Sequence, residues 1–241
     1  QGYAEAPIGT GPFKVDTWKA SSIALTANRS SWHAPKLDRL EVIAVPDISG
    51  RVQGLLSGRI DIAIGLGPDE RLSVEAGGAV SKAWLDPSVA AISFVTVHGG
   101  PLADVRVRQA LNYAVNKTAI IDNLFGGLTT PATQGVSHQA YGYNPDLQPY
   151  PYDPDKAKSL LVEAGYPDGF EFVFLTQTGL GSGTLLFQQV AADLARVGVT
   201  MEVRQLPAAA YLNTILRDPT HGGAGAHSTI WPAWPIFDAL R

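Results

Sequence analysis

At 241 residues the chain is longer than a typical single domain and has room for one large domain or two lobes, with a hydrophobic fraction of 45% and a charged fraction of 17% that suit a packed core. Eighteen Lys and Arg against 22 Asp and Glu leave a net charge of -4 with no basic run, which excludes a phosphate-backbone footprint and hence nucleic acid as a partner. The longest apolar run, Val89 to Val97, is strand-sized and interrupted by Ser93 and Thr96, and the absence of Cys excludes disulfides and thiolate metal sites.

Taken in chain order, Phe13 to Trp18 and Ile23 to Asn28 predict two strands of a hairpin turning at Lys19 to Ser22. Leu40 to Val45 is a β-branched run ended by Pro46, after which Asp47 or Ser49 caps a helix that runs through Leu56 and stops at Gly58. Ile60 to Ile64 is again strand-sized, and strand, helix, strand in so short a stretch predicts a parallel or mixed sheet. Gly67-Pro68-Asp69 opens a short helix to Ala76, with Ala79 to Leu85 and Val89 to Val97 as further strands. His98-Gly99-Gly100-Pro101 suits a crossing between lobes, dividing the chain into 1–100 and 101–241.

Asp104 caps the strongest helix, with Val107, Ala110, Leu111, Ala114 and Val115 on one face. Asn116 or Thr118 starts a second helix to Phe125, closed by Gly126 and Gly127. Leu128 to Tyr152, with four Pro and two Gly, predicts a long ordered surface loop of the kind that often carries function. Asp153-Pro154 opens a helix ended by Gly165. Phe170 to Leu175, Thr184 to Val197 and Val199 to Gln205 form a β-α-β unit, followed by a helix from Pro207 to Leu216 and a strand from Ala226 to Trp231. Two successive α/β lobes are the simplest architecture.

Motifs of catalysis are not found. Gly179-Leu180-Gly181-Ser182-Gly183 fits neither dinucleotide nor P-loop spacing and reads as a turn with Ser182 as helix cap. No G-x-S-x-G elbow is present, and His33, His98, His138, His221 and His227 show no metal-binding spacing, so each reads singly as a loop or surface residue. Asp104, Asp153, Asp155 and Asp168 sit where caps and turns want carboxylates. Neither a cofactor nor a metal is implied. The least ordinary feature is Trp231-Pro232-Ala233-Trp234-Pro235, two rigid indoles at a strand end, which suit either a pocket wall or core packing.

The punctuation as a whole resembles a known family. IGTGPFKVDTW, NRSSWHAPKLDRLEVIAVPD and GRVQGLLSGRIDIA, then PLADVRVRQALNYAVNKTAIIDNLFGG, PATQG and YNPDLQPYPYDPDKAKSLLVEAGYPDGFEF, are similar to the central segment of family 5 extracytoplasmic solute-binding proteins of ABC importers, the dipeptide, oligopeptide and nickel group. The resemblance implies a two-lobed periplasmic binding protein-like fold of type II, with residues 1–100 part of an incomplete first lobe and 101–241 most of the second. It implies a non-enzymatic role: capture of a small solute, peptide-like or other, between the lobes and delivery to the membrane permease in the periplasm. The chain opens on Gln1 and ends at Phe237-Asp238-Ala239-Leu240-Arg241, the opening of a helix, so a longer parent with a signal peptide and completing segments is expected, and truncated sheet edges could pair two copies into a dimer.

In peptide-binding members the segment resembling AHSTIWPAW carries a Trp and, three residues later, an Asp that pairs with the peptide amino group; here Trp231 matches the Trp and Trp234 replaces the Asp. An indole face can still hold a cation. The ligand-binding residues expected are therefore Trp231, Trp234 and His227, His98 at the lobe crossing, and Gln134, His138 and Tyr141 from the long loop. The rival readings are a two-lobed transferase or hydrolase using a loop carboxylate, and a sensory ectodomain of the same fold.

Overall fold

The computed structural model describes residues 7, 9–83, 87–178 and 182–231. Contacts divide the chain into two compact units, Gln1–Ser81 and Lys82–Arg241. No helix among the described residues is long and apolar enough to cross a membrane.

The first unit is an antiparallel meander followed by two helices. β1 (Phe13–Trp18), β2 (Ser22–Ala27) and β3 (Arg39–Ile43) pair in sequence order, with a register break between Val15 and Thr17. Asn28 pins the entry to this sheet: its backbone N–H donates to the Pro12 carbonyl at 2.7 Å and its side-chain amide to the Gly11 carbonyl at 3.0 Å. Of the two caps considered for α1 (Ile48–Leu56), the structure uses Asp47, whose carboxylate accepts from the Gly50 N–H at 2.6 Å. The helix is closed at Gly58, whose φ of 72° is the left-handed conformation that glycine adopts without strain. α2 (Pro68–Ala76) starts on Pro68, with the Glu70 carboxylate accepting from the Gly67 N–H. Among the described apolar side chains of this unit only Ala24, Val52 and Val74 are buried.

Among the described residues, two strands expected here do not form. Ile60 to Ile64 has no strand partner; the Ile64 and Gly65 carbonyls accept from the Arg51 guanidinium instead, and Ile62 and Ile64 are 79% and 75% exposed. The strand-helix-strand unit is therefore absent, and the sheet is wholly antiparallel because contiguous hairpins fill it. Residues 79–83 are likewise irregular, with Val80 exposed, and Trp84 to Asp86 lie outside the described residues. An apolar run marks a strand only where another strand can take its hydrogen bonds.

The second unit is a mixed sheet in the order β4-β7-β5-β6, made of β4 (Val89–Phe94), β5 (Phe170–Gln177), β6 (Val199–Leu206) and β7 (Ala226–Trp231). β5 and β6 run parallel in full register across α6 (Ser182–Ala195), the predicted β-α-β unit; Gly179 to Gly181 of the expected turn lie outside the described residues. β4 pairs antiparallel with β7 from Val89 opposite Trp231 to Phe94 opposite Ala226. That pairing draws β4 into the second unit, so the His98–Pro101 crossing expected from the sequence falls inside it.

One face of this sheet carries the main core. Phe172 and Phe174 pack with Phe187, Val190 and Leu194 of α6, with Val107, Ala110 and Leu111 of α3 (Val105–Ala114), and with Leu160 and Leu161 of α5 (Pro154–Glu163). Asp104 caps α3 by accepting from the Arg106 N–H, and Asp153 caps α5 by accepting from the Lys156 N–H, both as expected. Asn116 caps α4 (Lys117–Phe125), and its own N–H donates to the buried Asp193 carboxylate of α6 at 3.0 Å, which ties the two helices together. The opposite face is covered at β5 by α7 (Ala208–Arg217), whose Tyr211 packs with Leu175 and Ala224.

Residues 128–152 form the predicted loop, without helix or strand. It is anchored where Tyr150 meets Tyr113 edge-on at 5.1 Å and where the Asp153 N–H donates to the Tyr113 carbonyl.

Candidate functional site

Strand periodicity of two sorts β7 into two faces. Ala226 and Ser228 are buried, whereas His227 and Thr229 are half-buried on the alternate face, and Trp231 follows in the same register. Across the ladder Ser93 stands opposite His227 and Ala91 opposite Thr229, both half-buried. The Ser93 and Thr229 hydroxyls meet at 2.6 Å. Among the described residues the pair of strands thus presents a strip of hydroxyl and imidazole groups, a surface able to hydrogen-bond a polar solute. Tyr211 supports it from α7: its hydroxyl donates to the Ser228 carbonyl and accepts from the Ser228 hydroxyl at 3.2 Å, and burial raises its pKa.

At the Ala226 end of the strip three histidine rings meet. His227 and His221 lie parallel, 5° apart in plane with ring centres 6.4 Å apart, and His98 meets His221 edge-on at 6.0 Å. The His98 Nε2 donates to the Pro219 carbonyl at 3.0 Å. Asp218 builds the turn that carries His221, accepting from the Thr220 N–H and hydroxyl and from the Gly222 N–H; these hydrogen bonds, Thr220 foremost, and then the charge of His221 hold its carboxyl below the usual range. His98 and Thr220 border an open groove of about 450 Å³ that Glu171, Phe172 and Val173 also line.

The expected ligand residues therefore separate. His98 and His227 come together through His221, which sequence spacing left as a lone residue. Trp231 pairs with Val89 at the other end of the strand, about 13 Å along β7 from His227 at the usual rise per residue. Trp234 lies outside the described residues. Gln134 spends its amide on its own loop, donating to the Asn144 carbonyl at 2.8 Å and accepting from the Asn144 N–H at 3.1 Å. His138 and Tyr141 are exposed on that loop, and among the described residues no hydrogen bond or ring contact joins them to the histidines. Ser93 and Thr229 were missed. The alternation in AHSTIW marks Thr229, but nothing local in the sequence marks Ser93 as its partner.

The family model of the bacterial extracellular solute-binding proteins, family 5 middle segment, matches residues 1–238. Heme-binding protein A of Haemophilus influenzae is 36% identical over 200 residues, covering 80% of this chain and 36% of that protein. The glutathione-binding protein GsiB of Salmonella paratyphi A is 33% identical over 207 residues, 84% of this chain and 40% of the relative. Among solved structures, the peptide-bound periplasmic binding protein DppA of Helicobacter pylori superposes with a TM-score of 0.75 at 28% identity, over 95% of this chain and 44% of that one. NikA of Brucella suis gives a TM-score of 0.81 at 24% identity over 96% and 49%, and shows the shared fold. The chain spans less than half the length of each of these relatives. It belongs to family 5 of the bacterial extracellular solute-binding proteins.

Proposed function

We propose that the protein of which this chain is part captures a small solute between two lobes in the periplasm and hands it unaltered to the permease of an ABC importer. The family match over residues 1–238 carries this reading. The β7 strip of His227, Thr229 and Trp231, with Ser93 beside it, is the surface we assign to the solute, and Gln134, His138, Tyr141 and Trp234 are further candidates for the wall. His98, at the far end of the strand pair, is better explained by its edge-on contact with His221.

Relatives named for heme, glutathione and peptide leave the solute class wide. Trp234 in place of the Asp that peptide-binding members use argues against an ordinary peptide amino terminus, since an ammonium would lose its anionic partner. The test is mass spectrometry of small molecules released on denaturing the full-length parent purified from its host. One unaltered solute in stoichiometric amount is the expected result; a mixture of substrate and product would replace transport with catalysis.

A further inference from the structure

β6 (Val199–Leu206) stands last in the order of the second sheet, so among the described residues one side of it carries no strand. Which of its backbone groups face that open side follows from one hydrogen bond. The Thr178 N–H donates to the Leu206 carbonyl at 2.9 Å, which turns the Leu206 backbone toward β5, and the alternation of an extended chain turns Arg204, Glu202 and Thr200 the same way. The N–H and C=O groups of Val199, Met201, Val203 and Gln205 therefore point outward, and Pro207, which has no N–H, ends the run. Glu202 and Arg204 are both exposed on one face of the strand, joined by two hydrogen bonds of 2.6 and 2.7 Å. The Arg204 guanidinium holds the Glu202 carboxyl below its usual range and hence ionised.

This edge is complementary to itself. A second copy laid antiparallel about a two-fold axis must set outward-facing residues opposite outward-facing residues, which leaves few registers. An axis at Glu202 brings carboxylate against carboxylate, and an axis at Arg204 brings guanidinium against guanidinium. An axis at Val203 places each Glu202 opposite Arg204 of the other copy, at the closely spaced positions between hydrogen-bonded pairs, while Val203 meets its own copy and Met201 meets Gln205 with their outward N–H and C=O groups exchanged. Charges on an edge strand ordinarily deter pairing by meeting their like. In this register they meet their opposites. We propose that β6 is a dimerisation edge, on which two copies of this chain join antiparallel about Val203 and merge their four-stranded sheets into one. In the sheet order β5 lies between β6 and the β4-β7 strip, so the contact neither uses the solute strip nor rests on its assignment.

Sedimentation equilibrium of the intact chain over a range of concentrations tests this. The expected result is a monomer–dimer equilibrium that Glu202→Arg and Arg204→Glu each weaken at least about 10-fold, because each sets like charges opposite one another at both symmetric positions, and that the double exchange restores to within about 3-fold of the parent. The double exchange also keeps an ion pair within the strand, so recovery reports the register and not the fold of β6. Gln205→Pro removes an outward N–H while leaving the hydrogen bonds to β5 in place, and should abolish the dimer with the urea midpoint little changed. A chain that stays monomeric, a dimer indifferent to all of these variants, as pairing through β1 or β3 of the first unit would give, or losses in the single variants that the double exchange does not recover would overturn the assignment.

Discussion

Single carboxylates and amides do most of the local specification in this chain. Asp104 accepts from the Arg106 N–H and faces its guanidinium; that pair of hydrogen bonds, side chain first, lowers its pKa from 3.8 to about 2. A carboxyl whose folded pKa lies below its unfolded value stabilises the fold above the unfolded pKa and loses that contribution as pH falls through the folded one. The Asp104 contribution should therefore be whole above about pH 4 and gone near pH 2, and Asp104→Asn, which keeps a capping oxygen, should flatten the acid limb of urea midpoints measured across that range. Gln134 illustrates the opposite lesson. Its place in a Pro- and Gly-rich loop marks it as a ligand residue in the sequence, yet both ends of its amide are taken by the Asn144 backbone. Gln134→Ala should raise amide exchange at Asn144 and along residues 128–152 while lowering global stability by under about 1 kcal/mol, since these bonds are solvent-exposed. Solute affinity falling without any change in loop exchange would instead make Gln134 a direct ligand.

At the scale of elements, legibility followed the range of the interaction that makes each one. Helix ends were readable because caps are local: Asp47, Asp104, Asn116 and Asp153 all stand where their helices begin, and Gly58, Gly126 and Gly165 take left-handed φ where they end. Strands are pairings, and pairing is not local. Ile60 to Ile64 has the composition of a strand, but its last carbonyl, that of Ile64, goes to Arg51; Phe170 to Gln177 is also apolar-rich and becomes one, because Val199 to Leu206 lies alongside. The histidine cluster failed to show for the same reason, since His98 and His221 are 123 residues apart in the sequence and the β4-β7 ladder brings their segments together. The strength of the β5-α6 contact is measurable. Phe174 is fully buried with its ring 4.6 Å from Phe187, and Phe174→Ala should cost about 3–5 kcal/mol in urea unfolding, as large-to-small changes in a close-packed core do. A cost near 1 kcal/mol would mean that the surrounding helices collapse into the space.

For the whole molecule the uneven distribution of core decides what can stand alone. The second unit buries a continuous cluster from α3, α5, α6 and both central strands of its sheet, together with the smaller cluster under α7. The first unit buries three apolar side chains among its described residues and exposes Trp32, Ile62, Ile64, Leu72 and Val80 by 69% or more. Burial at roughly 25 cal/mol per Å² is what offsets chain entropy, and a unit that leaves its largest apolar groups in water lacks that term. Residues 82–241 expressed alone should therefore unfold cooperatively in urea, with a slope close to that of the intact chain's main transition. Residues 1–81 alone should show no such transition and should self-associate, because among the described residues β1 and β3 are the open edges of the sheet, beside exposed apolar surface. Sedimentation and circular dichroism of the two pieces separate the outcomes. A first unit that is monomeric and cooperative would mean that its meander and two helices suffice as a fold, and the expected pairing of copies through its sheet edges would lose its physical basis.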